Sequence, residues 1–345
     1  MRFIGCKTLL LEDIKNIIER KAPNSRTFCD IFSGTATVAR YFKKIFEVTS
    51  NDLLYFSYCL QRGTIENDTL PQFARLSSAI GNIDPIKYFN ELPIETLETL
   101  SQDKRFFQNN YAPTGGRMYI TDINALRFDY FRNMVEYWFS NGLLADNEYF
   151  YLVACAVEGL PFVSNIRGTY GAYAKEWDKR SFKVYEPLRL EVISNGKQNC
   201  SFNENGVELL KQLNGDVLYI DPPYNSRQYL PNYHLLETAA KYDFPVLRGV
   251  TGQRADTDQK SDFCSKVKVE SAFSELLSNS NYQHIIFSYN TDGLMPVERV
   301  EEIIKAHGLP DTFELTEIPY RRFKSRKETE LGGLKELLFY IEKRI

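Results

Sequence analysis

The residues with the clearest chemical potential lie in VLYIDPPYN (217–225). Asp221 follows an apolar run that reads as a buried strand, at the end where α/β sheets place their ligands. Pro222 and Pro223 stiffen the backbone directly after it. The Asp221 carboxylate and the Pro222 carbonyl are therefore two acceptors at a set separation. A planar –NH2 group offers two hydrogens to such a pair, and Tyr224 supplies a flat face for the ring carrying that amine. The bland alternative is a turn with a helix-capping aspartate. It needs four residue types to coincide at a strand end.

A second motif is DIFSGTATVA (30–39). A strand delivers the chain to Gly34, where a ligand's atoms can approach a backbone without a side chain. A helix starts near Thr37, and its free N–H groups favour a carboxylate or phosphate. Taken alone, this is equally a tight strand-to-helix turn of any doubly wound protein. No GKS or GKT follows, so it is not a phosphate-binding P-loop.

These motifs need a sheet to position them. A helix is expected from Lys7 to Arg20, with Leu10, Ile14, Ile17 and Ile18 on one face. FCDIF (28–32) and EVTSND (47–52) read as strands, each followed by a helical stretch, VARYFKKIF and LLYFSYCLQRGTI. That alternation predicts a parallel sheet covered on both faces. From about Glu66 to Glu191 the rhythm stops. This part is helical and loop-rich, punctuated by Pro71, Pro85, Pro93, Pro113 and Pro161, with an irregular stretch at 166–177. Strands return at NCSFN (199–203), VLYID (217–221), HIIFSYN (284–290), FELTEIPY (313–320) and KELLFYIEK (335–343). The last two leave no room for a crossover helix and should pair antiparallel. The expected architecture is α/β, a seven-stranded mixed sheet interrupted by an inserted domain.

Composition narrows the class. Over 345 residues, 43% are hydrophobic and 25% charged, which excludes a disordered or fibrous chain. Forty-two basic against 45 acidic residues leave a net charge of −3, so any nucleic-acid surface must be a local patch. Six cysteines without CxxC spacing and three histidines argue against a zinc site or a disulfide scaffold, and for a reduced, cytoplasmic protein. The longest apolar stretch, Tyr149 to Val157, is too short to span a bilayer, and the N-terminus lacks a signal-peptide core.

With these motifs in place, the chain resembles the alpha-ordered N6-adenine DNA methyltransferases of restriction–modification systems. In that group the cofactor motif precedes the catalytic one and the target-recognition region lies between them. RFIGCK (2–7), DIFSGTATVAR, SNDLLYFSY (50–58), DPPYNSRQY (221–229), NYHLLET (232–238), TGQR (251–254) and SYNTDG (288–293) carry the resemblance. NNYAP (109–113) and YGAYAKEWDKRSFK (170–183) resemble its inserted region. The resemblance implies a Rossmann-like class I methyltransferase fold. Residues 1–65 and 192–345 would form the catalytic domain, and 66–191 a mainly helical target-recognition domain. The implied cofactor is S-adenosyl-L-methionine. The loop Phe32, Ser33, Gly34, Thr35 and Ala36 would pass beneath its methionine part, with Asp30 near its ammonium. Asp52, with Leu53 beside it, would accept the ribose hydroxyls; otherwise Asp52 is an N-cap. Phe202 and Asn203 would border the adenine. Phe3, Gly5 and Lys7 would close the pocket, unless Lys7 is an exposed lysine at a helix start. The group's last loop glycine is Ala36 here. Alanine fits if the backbone is not left-handed there, and is strained if it is.

The same resemblance implies that Asp221, Pro222, Pro223 and Tyr224 act on the N6 amine of an adenine flipped out of duplex DNA. Asn225, Ser226 and Arg227 would hold a phosphate or fill the gap in the duplex. The run YRRFKSRK (320–327), with Arg321, Arg322 and Lys324, is either a basic hairpin gripping phosphates or a solvated loop. Asn109, Tyr111, Arg117, Arg167, Tyr170 and Lys175 are the insertion's candidates for DNA contact. A restriction endonuclease is the implied partner, and the chain a monomer or weak dimer. The competing functions are an amino methyltransferase acting on RNA or a protein amide, which usually carries Asn in place of Asp221, and an inactive DNA-binding module.

Overall fold

Leu10, Ile14, Ile17 and Ile18 are all buried, along a single turn Thr8–Leu10 and the helix Leu11–Lys21, as their spacing predicts. The computed structural model describes residues 7–255, 259–319 and 335–344. Among them the strands are, in chain order, β1 (Thr27–Asp30), β2 (Glu47–Asn51), β3 (Cys200–Phe202), β4 (Asn214–Ile220), β5 (Leu247–Arg248), β6 (Gln253–Arg254), β7 (Asn281–Asn290), β8 (Glu314–Pro319) and β9 (Lys335–Glu342).

Seven of these form one sheet in the order β3-β2-β1-β4-β7-β9-β8. The pairs from β3 through β7 are parallel, while β9 runs antiparallel to both β7 and β8. The expected seven strands are present, and the last two pair antiparallel. The separate two-stranded hairpin β5–β6 was not anticipated. From β1 the chain moves outward to β2 and β3, then returns to place β4 on the other side of β1. Ligands of open α/β sheets bind where the strand order reverses in this way. Asp30 pairs with Tyr219, so Asp30 and Asp221 emerge at the same end of neighbouring strands.

Successive residues of the central strands bury both faces of the sheet. Leu218, Ile220, Ile285 and Phe287 pack with Phe273, Leu276 and Leu277 of the helix Val269–Asn279 and with Val300, Ile303 and Ile304 of the helix Val297–His307. Phe28 stacks on Phe42 at 4.4 Å and on Tyr219 at 6.2 Å. Burial on both faces is what a parallel sheet between helices requires.

The chain divides into two compact units. The sheet unit comprises 7–53, 195–229 and the described residues from 259 onward. The second, mainly helical, comprises 54–194 and 230–255. The packing therefore groups the segments 54–65 and 230–255 with the region read from the sequence as an insertion. Its long helices are Asp122–Ser140 and Asp146–Gly159. Gly63 is needed for a close approach, since a Cβ there would lie 2.9 Å from the Ala154 Cβ. Among the described residues no helix is long and apolar enough to cross a membrane.

Candidate active site at the carboxyl ends of β1, β2 and β4

After Asp30 the chain turns at once. The Ser33 N–H donates to the Asn51 carbonyl at 2.9 Å, and its hydroxyl to the Asp30 carbonyl at 2.8 Å. Gly34 takes φ 53°, and its N–H donates to Asp52 Oδ2 at 2.8 Å. Ala36 is fully buried with φ 58°. A left-handed alanine costs about 1–2 kcal/mol, so the departure from glycine does strain this loop. The hydroxyls of Thr35 and Thr37 lie 2.9 Å apart. The half-buried Phe32 ring meets Phe263 edge-on at 5.2 Å. Ala39 in the helix Thr37–Phe42 donates its N–H to Asp30 Oδ2 at 3.2 Å. Asp30 Oδ1 is buried and has no hydrogen-bond partner among the described residues. Burial, reinforced by the charge of Asp221, pushes the Asp30 carboxyl up to about 8.

Asp52 does not cap a helix, because the residue before the next helix is Leu54. Its carboxylate holds the Gly34 turn, its N–H donates to the Phe202 carbonyl at 3.2 Å, and its carbonyl accepts from Asn203 Nδ2 at 2.8 Å. Asn51 ties the three neighbouring strand ends together. Its Nδ2 donates to the Ile31 and Glu204 carbonyls, both at 3.1 Å, and its Oδ1 accepts from the Glu204 N–H at 3.0 Å. Leu53 is half-buried, and its carbonyl accepts from Gln259 Nε2 at 3.1 Å.

At the end of β4, Pro222 is buried and Pro223 half-buried. Tyr224 is 9% exposed; its carbonyl accepts from the Leu294 N–H at 3.0 Å, and its ring meets Tyr289 edge-on at 6.0 Å. The Tyr289 ring in turn covers Gly293, where a Cβ would lie 2.0 Å from it. The aromatic acceptor loop is thus braced from the turn after β7.

Lys7 is the cation of the site. It is not exposed at a helix start. It is 4% exposed, with Nζ 3.0 Å from Glu336 Oε2, 3.4 Å from Asp221 Oδ1 and 5.2 Å from the Tyr224 ring centre. Burial alone lowers its proton affinity; Asp221, Tyr224 and Glu336 more than reverse this and raise it. Burial pushes Asp221 up to about 7, with Lys7 pulling down and Glu336 pushing up. Asp221 Oδ1 is buried with no hydrogen-bond partner among the described residues. Asp221 and Glu336 share Lys7 while Asp30 stands beside Asp221 and Asp52 beside Asp30, an acidic cluster that suits a cationic ligand.

The other expected residues divide sharply. Phe3, Gly5, Arg321, Arg322 and Lys324 lie outside the described residues. Tyr111 and Tyr170, expected at DNA, are fully buried and present no side-chain surface to a duplex. The Tyr111 hydroxyl instead pairs with Thr238 and donates to the Gly252 carbonyl, both at 3.2 Å. Arg117 is likewise engaged internally: its guanidinium donates to the carbonyls of Asn110, Gly249 and Val250. Asn109, Arg167 and Lys175 are exposed, as are Ser226 and Arg227. Asn225 Oδ1 accepts the Arg227 N–H at 2.9 Å and shapes the turn after the aromatic motif.

Asn51, Gln259, Tyr289 and Glu336 escaped the sequence reading. Asn51 and Tyr289 lie inside the segments 50–58 and 288–293 that carry the resemblance, and Glu336 heads the apolar run LLFYI, whereas Gln259 had no signal.

The comparisons agree with this geometry. The family model for D12 class N6 adenine-specific DNA methyltransferase matches residues 3–303. The chain is 43% identical over its whole length to "Type II methyltransferase M.FokI" of Planomicrobium okeanokoites and 40% identical to "Modification methylase StsI" of Streptococcus sanguinis, covering 53% and 52% of them. It thus spans about half the length of these two relatives. It is also 35% identical to "Type II methyltransferase M.NlaIII" of Neisseria lactamica over 95% of this chain and 93% of that protein. A seven-stranded sheet of class I methyltransferase type, an Asp-Pro-Pro-Tyr end on β4 and a family match over most of the chain lead to one assignment: the protein belongs to the D12 class N6 adenine-specific DNA methyltransferase family.

Proposed function

We propose that the protein methylates the exocyclic N6 amine of an adenine within a short duplex DNA sequence, using S-adenosyl-L-methionine, as the modification arm of a restriction–modification system in the cytoplasm. The observation that carries this reading is Asp221. Its Oδ1 is buried without a hydrogen-bond partner among the described residues, 3.4 Å from the Lys7 ammonium, on the residue that opens the proline-stiffened turn to Tyr224.

The residues present suit that cofactor. S-adenosyl-L-methionine carries an electrophilic methyl on a sulfonium, with an ammonium on its amino-acid end. The unpartnered Asp30 Oδ1 and the acidic surplus favour both cations. Asp30 and the loop Phe32, Ser33, Gly34, Thr35 and Ala36 would hold the methionine part, Asp52 and Leu53 the ribose, and Phe202 and Asn203 the adenine.

Asp221 and the Pro222 carbonyl would accept the two N6 hydrogens of a flipped adenine lying on Tyr224. An adenine amine is a weak nucleophile because its lone pair is conjugated into the ring. Acceptors that strengthen as positive charge develops on the nitrogen stabilise the transition state more than the ground state. Holding the amine in line with the methyl supplies much of the remaining acceleration. Residues 66–191 would choose the target sequence, with Asn109, Arg167 and Lys175 as the exposed candidates. Arg117 would act through the 249–252 turn that it holds. The names of the relatives support the modification role.

The test is transfer of tritiated methyl into duplex DNA, with the product base identified by mass spectrometry. N6-methyladenine confined to one short sequence context is expected. Methyl incorporation into RNA or protein but not DNA would overturn the reading.

A further inference from the structure

The Lys7 ammonium is shared by two carboxylates, the buried Glu336 and the half-buried Asp221, and is nearer to the one outside the sequence motif. Nζ is 3.0 Å from Glu336 Oε2, a hydrogen bond, and 3.4 Å from Asp221 Oδ1, too long for a strong one. The Glu336 side chain is 2% exposed and that of Lys7 3%. Glu336 sits near the start of β9, opposite Asn290 at the end of β7, beyond the residues 3–303 that the family model matches. A carboxylate buried in a strand is costly unless a cation meets it, and Lys7 meets this one.

We propose that Glu336 is a positioning residue for methyl transfer: by hydrogen-bonding the Lys7 ammonium, it keeps that ammonium from closing onto the Asp221 oxygen that receives the adenine amine. This rests on the function proposed above. One lysine cannot neutralise two carboxylates, so Asp221 keeps its negative field while Lys7 is held by Glu336. Without Glu336, the nearest anion for Lys7 is Asp221. Nζ would then close to a charge-assisted hydrogen bond of about 2.7–2.9 Å and compete with the amine for Oδ1. The same ammonium lies over the Tyr224 ring at 5.2 Å, so its position also bears on where the flipped base rests.

The charge environment supports a distinctive pH signature. Asp221 is faced by Lys7 from the N-terminal segment, Asp30 from β1, Glu336 from β9 and Tyr219 from its own strand; Asp52 stands beyond, facing Asp30. Glu336 is a negative neighbour that favours protonation of Asp221. Removing its charge, and letting Lys7 close, both favour the ionised form. The acidic limb of the rate profile then moves to lower pH even as the plateau falls. A residue that merely stabilised the fold would reduce the active fraction without moving the limb.

The experiment is steady-state and single-turnover methylation of duplex DNA across pH by the wild type, E336Q, E336D, K7M and the double variant K7M/E336Q. E336Q is expected to lose on the order of 10- to 100-fold in kcat, with KM for cofactor and DNA nearly unchanged and the acidic limb shifted down. E336D keeps the charge, so most of the rate and the position of the limb should return. In the K7M background E336Q should add little further loss of kcat, because the group it restrains is gone, while the loss of its charge beside Asp221 still moves the limb down. The proposal is overturned by wild-type kcat and limb in E336Q, by a loss traced wholly to a smaller folded fraction, or by full additivity with K7M in kcat. If E336Q does not fold, E336D decides: a limb displaced as far as that of K7M, or a rate as low, sinks the idea. Absence of any DNA methylation by the wild type would instead count against the proposed function.

Discussion

Buried carboxylates in the helical unit and in the sheet unit are treated differently. Asp129, in the helix Asp122–Ser140, has both oxygens engaged. Oδ1 accepts from the Phe107 N–H and the Tyr242 hydroxyl, and Oδ2 from the Gln108 N–H, all at 2.9 Å. Glu237 likewise divides its oxygens between the N–H groups of Tyr55 and Phe56, each at 3.0 Å, at the start of the helix Tyr55–Gln61. In the sheet unit, Asp30 accepts one backbone bond at 3.2 Å and leaves Oδ1 unpartnered, while Asp221 Oδ1 has only an ion pair with Lys7 at 3.4 Å and no hydrogen bond. A buried acceptor without a partner costs about 1–3 kcal/mol. Asp129 and Glu237 avoid that cost; Asp30 and Asp221 carry it at the strand ends where a ligand is expected. Carboxylates that build the fold have their acceptor capacity filled, and those left open mark chemistry.

The contrast breaks most directly at Asp221. Asp221→Ala should lower the methylation rate on the order of 100- to 1000-fold with melting temperature and cofactor affinity near wild type. Near-normal N6-methyladenine formation by that folded variant would remove Asp221 from the mechanism. Asp129→Ala should do the reverse. It leaves two backbone N–H groups and a hydroxyl without their acceptor, at about 2–4 kcal/mol of stability, while the rate per folded molecule is retained. Urea titration with an active-site count separates the two effects, and a full-stability Asp129→Ala would erase the distinction drawn here.

Acidity does not separate the two regions, since burial also pushes Asp129 up to about 7, but it gives a test of its own. Asp30 is held near 8 and Asp221 near 7 by burial, against an unfolded value of about 4. A carboxyl whose folded pKa is raised binds its proton more tightly in the native state. Its contribution to stability therefore falls as pH rises from about 4 to 8. Asp30→Asn should accordingly match the wild type near pH 5 and exceed its stability near pH 8. Denaturation midpoints at the two values check this, and an equal difference at both would place the proton elsewhere. The smallest effect is expected at Ala36. Ala36→Gly relieves a left-handed alanine and should stabilise by about 1 kcal/mol, readable as a small rise in melting temperature. A loss of stability would mean that the Ala36 methyl contributes more by packing than its backbone loses by strain.

Most of the strands were legible because they are short apolar runs bounded by turns, whereas the order in which they pair came only from the fold. The motifs were legible because each concentrates its chemistry in consecutive residues, 30–36 and 221–224. The DNA-contact set was not. Tyr111, Tyr170 and Arg117 look like surface residues by type, yet two are core aromatics and the third staples a turn. Residue type alone does not say which way a side chain of a loop-rich region faces.

The sequence by itself determined the α/β alternation, the antiparallel end of the sheet and the place of Asp221, Pro222 and Tyr224 at a strand end, because period, spacing and neighbouring prolines are local properties. Only the tertiary structure decided that Ala36 is left-handed, that Asn51 ties three strand ends, and that Lys7 is shared between Asp221 and Glu336 across 329 residues of chain from Lys7 to Glu336. Such contacts arise when strands distant in sequence become neighbours in one sheet. A buried charge then takes whichever opposite charge the packing brings within reach.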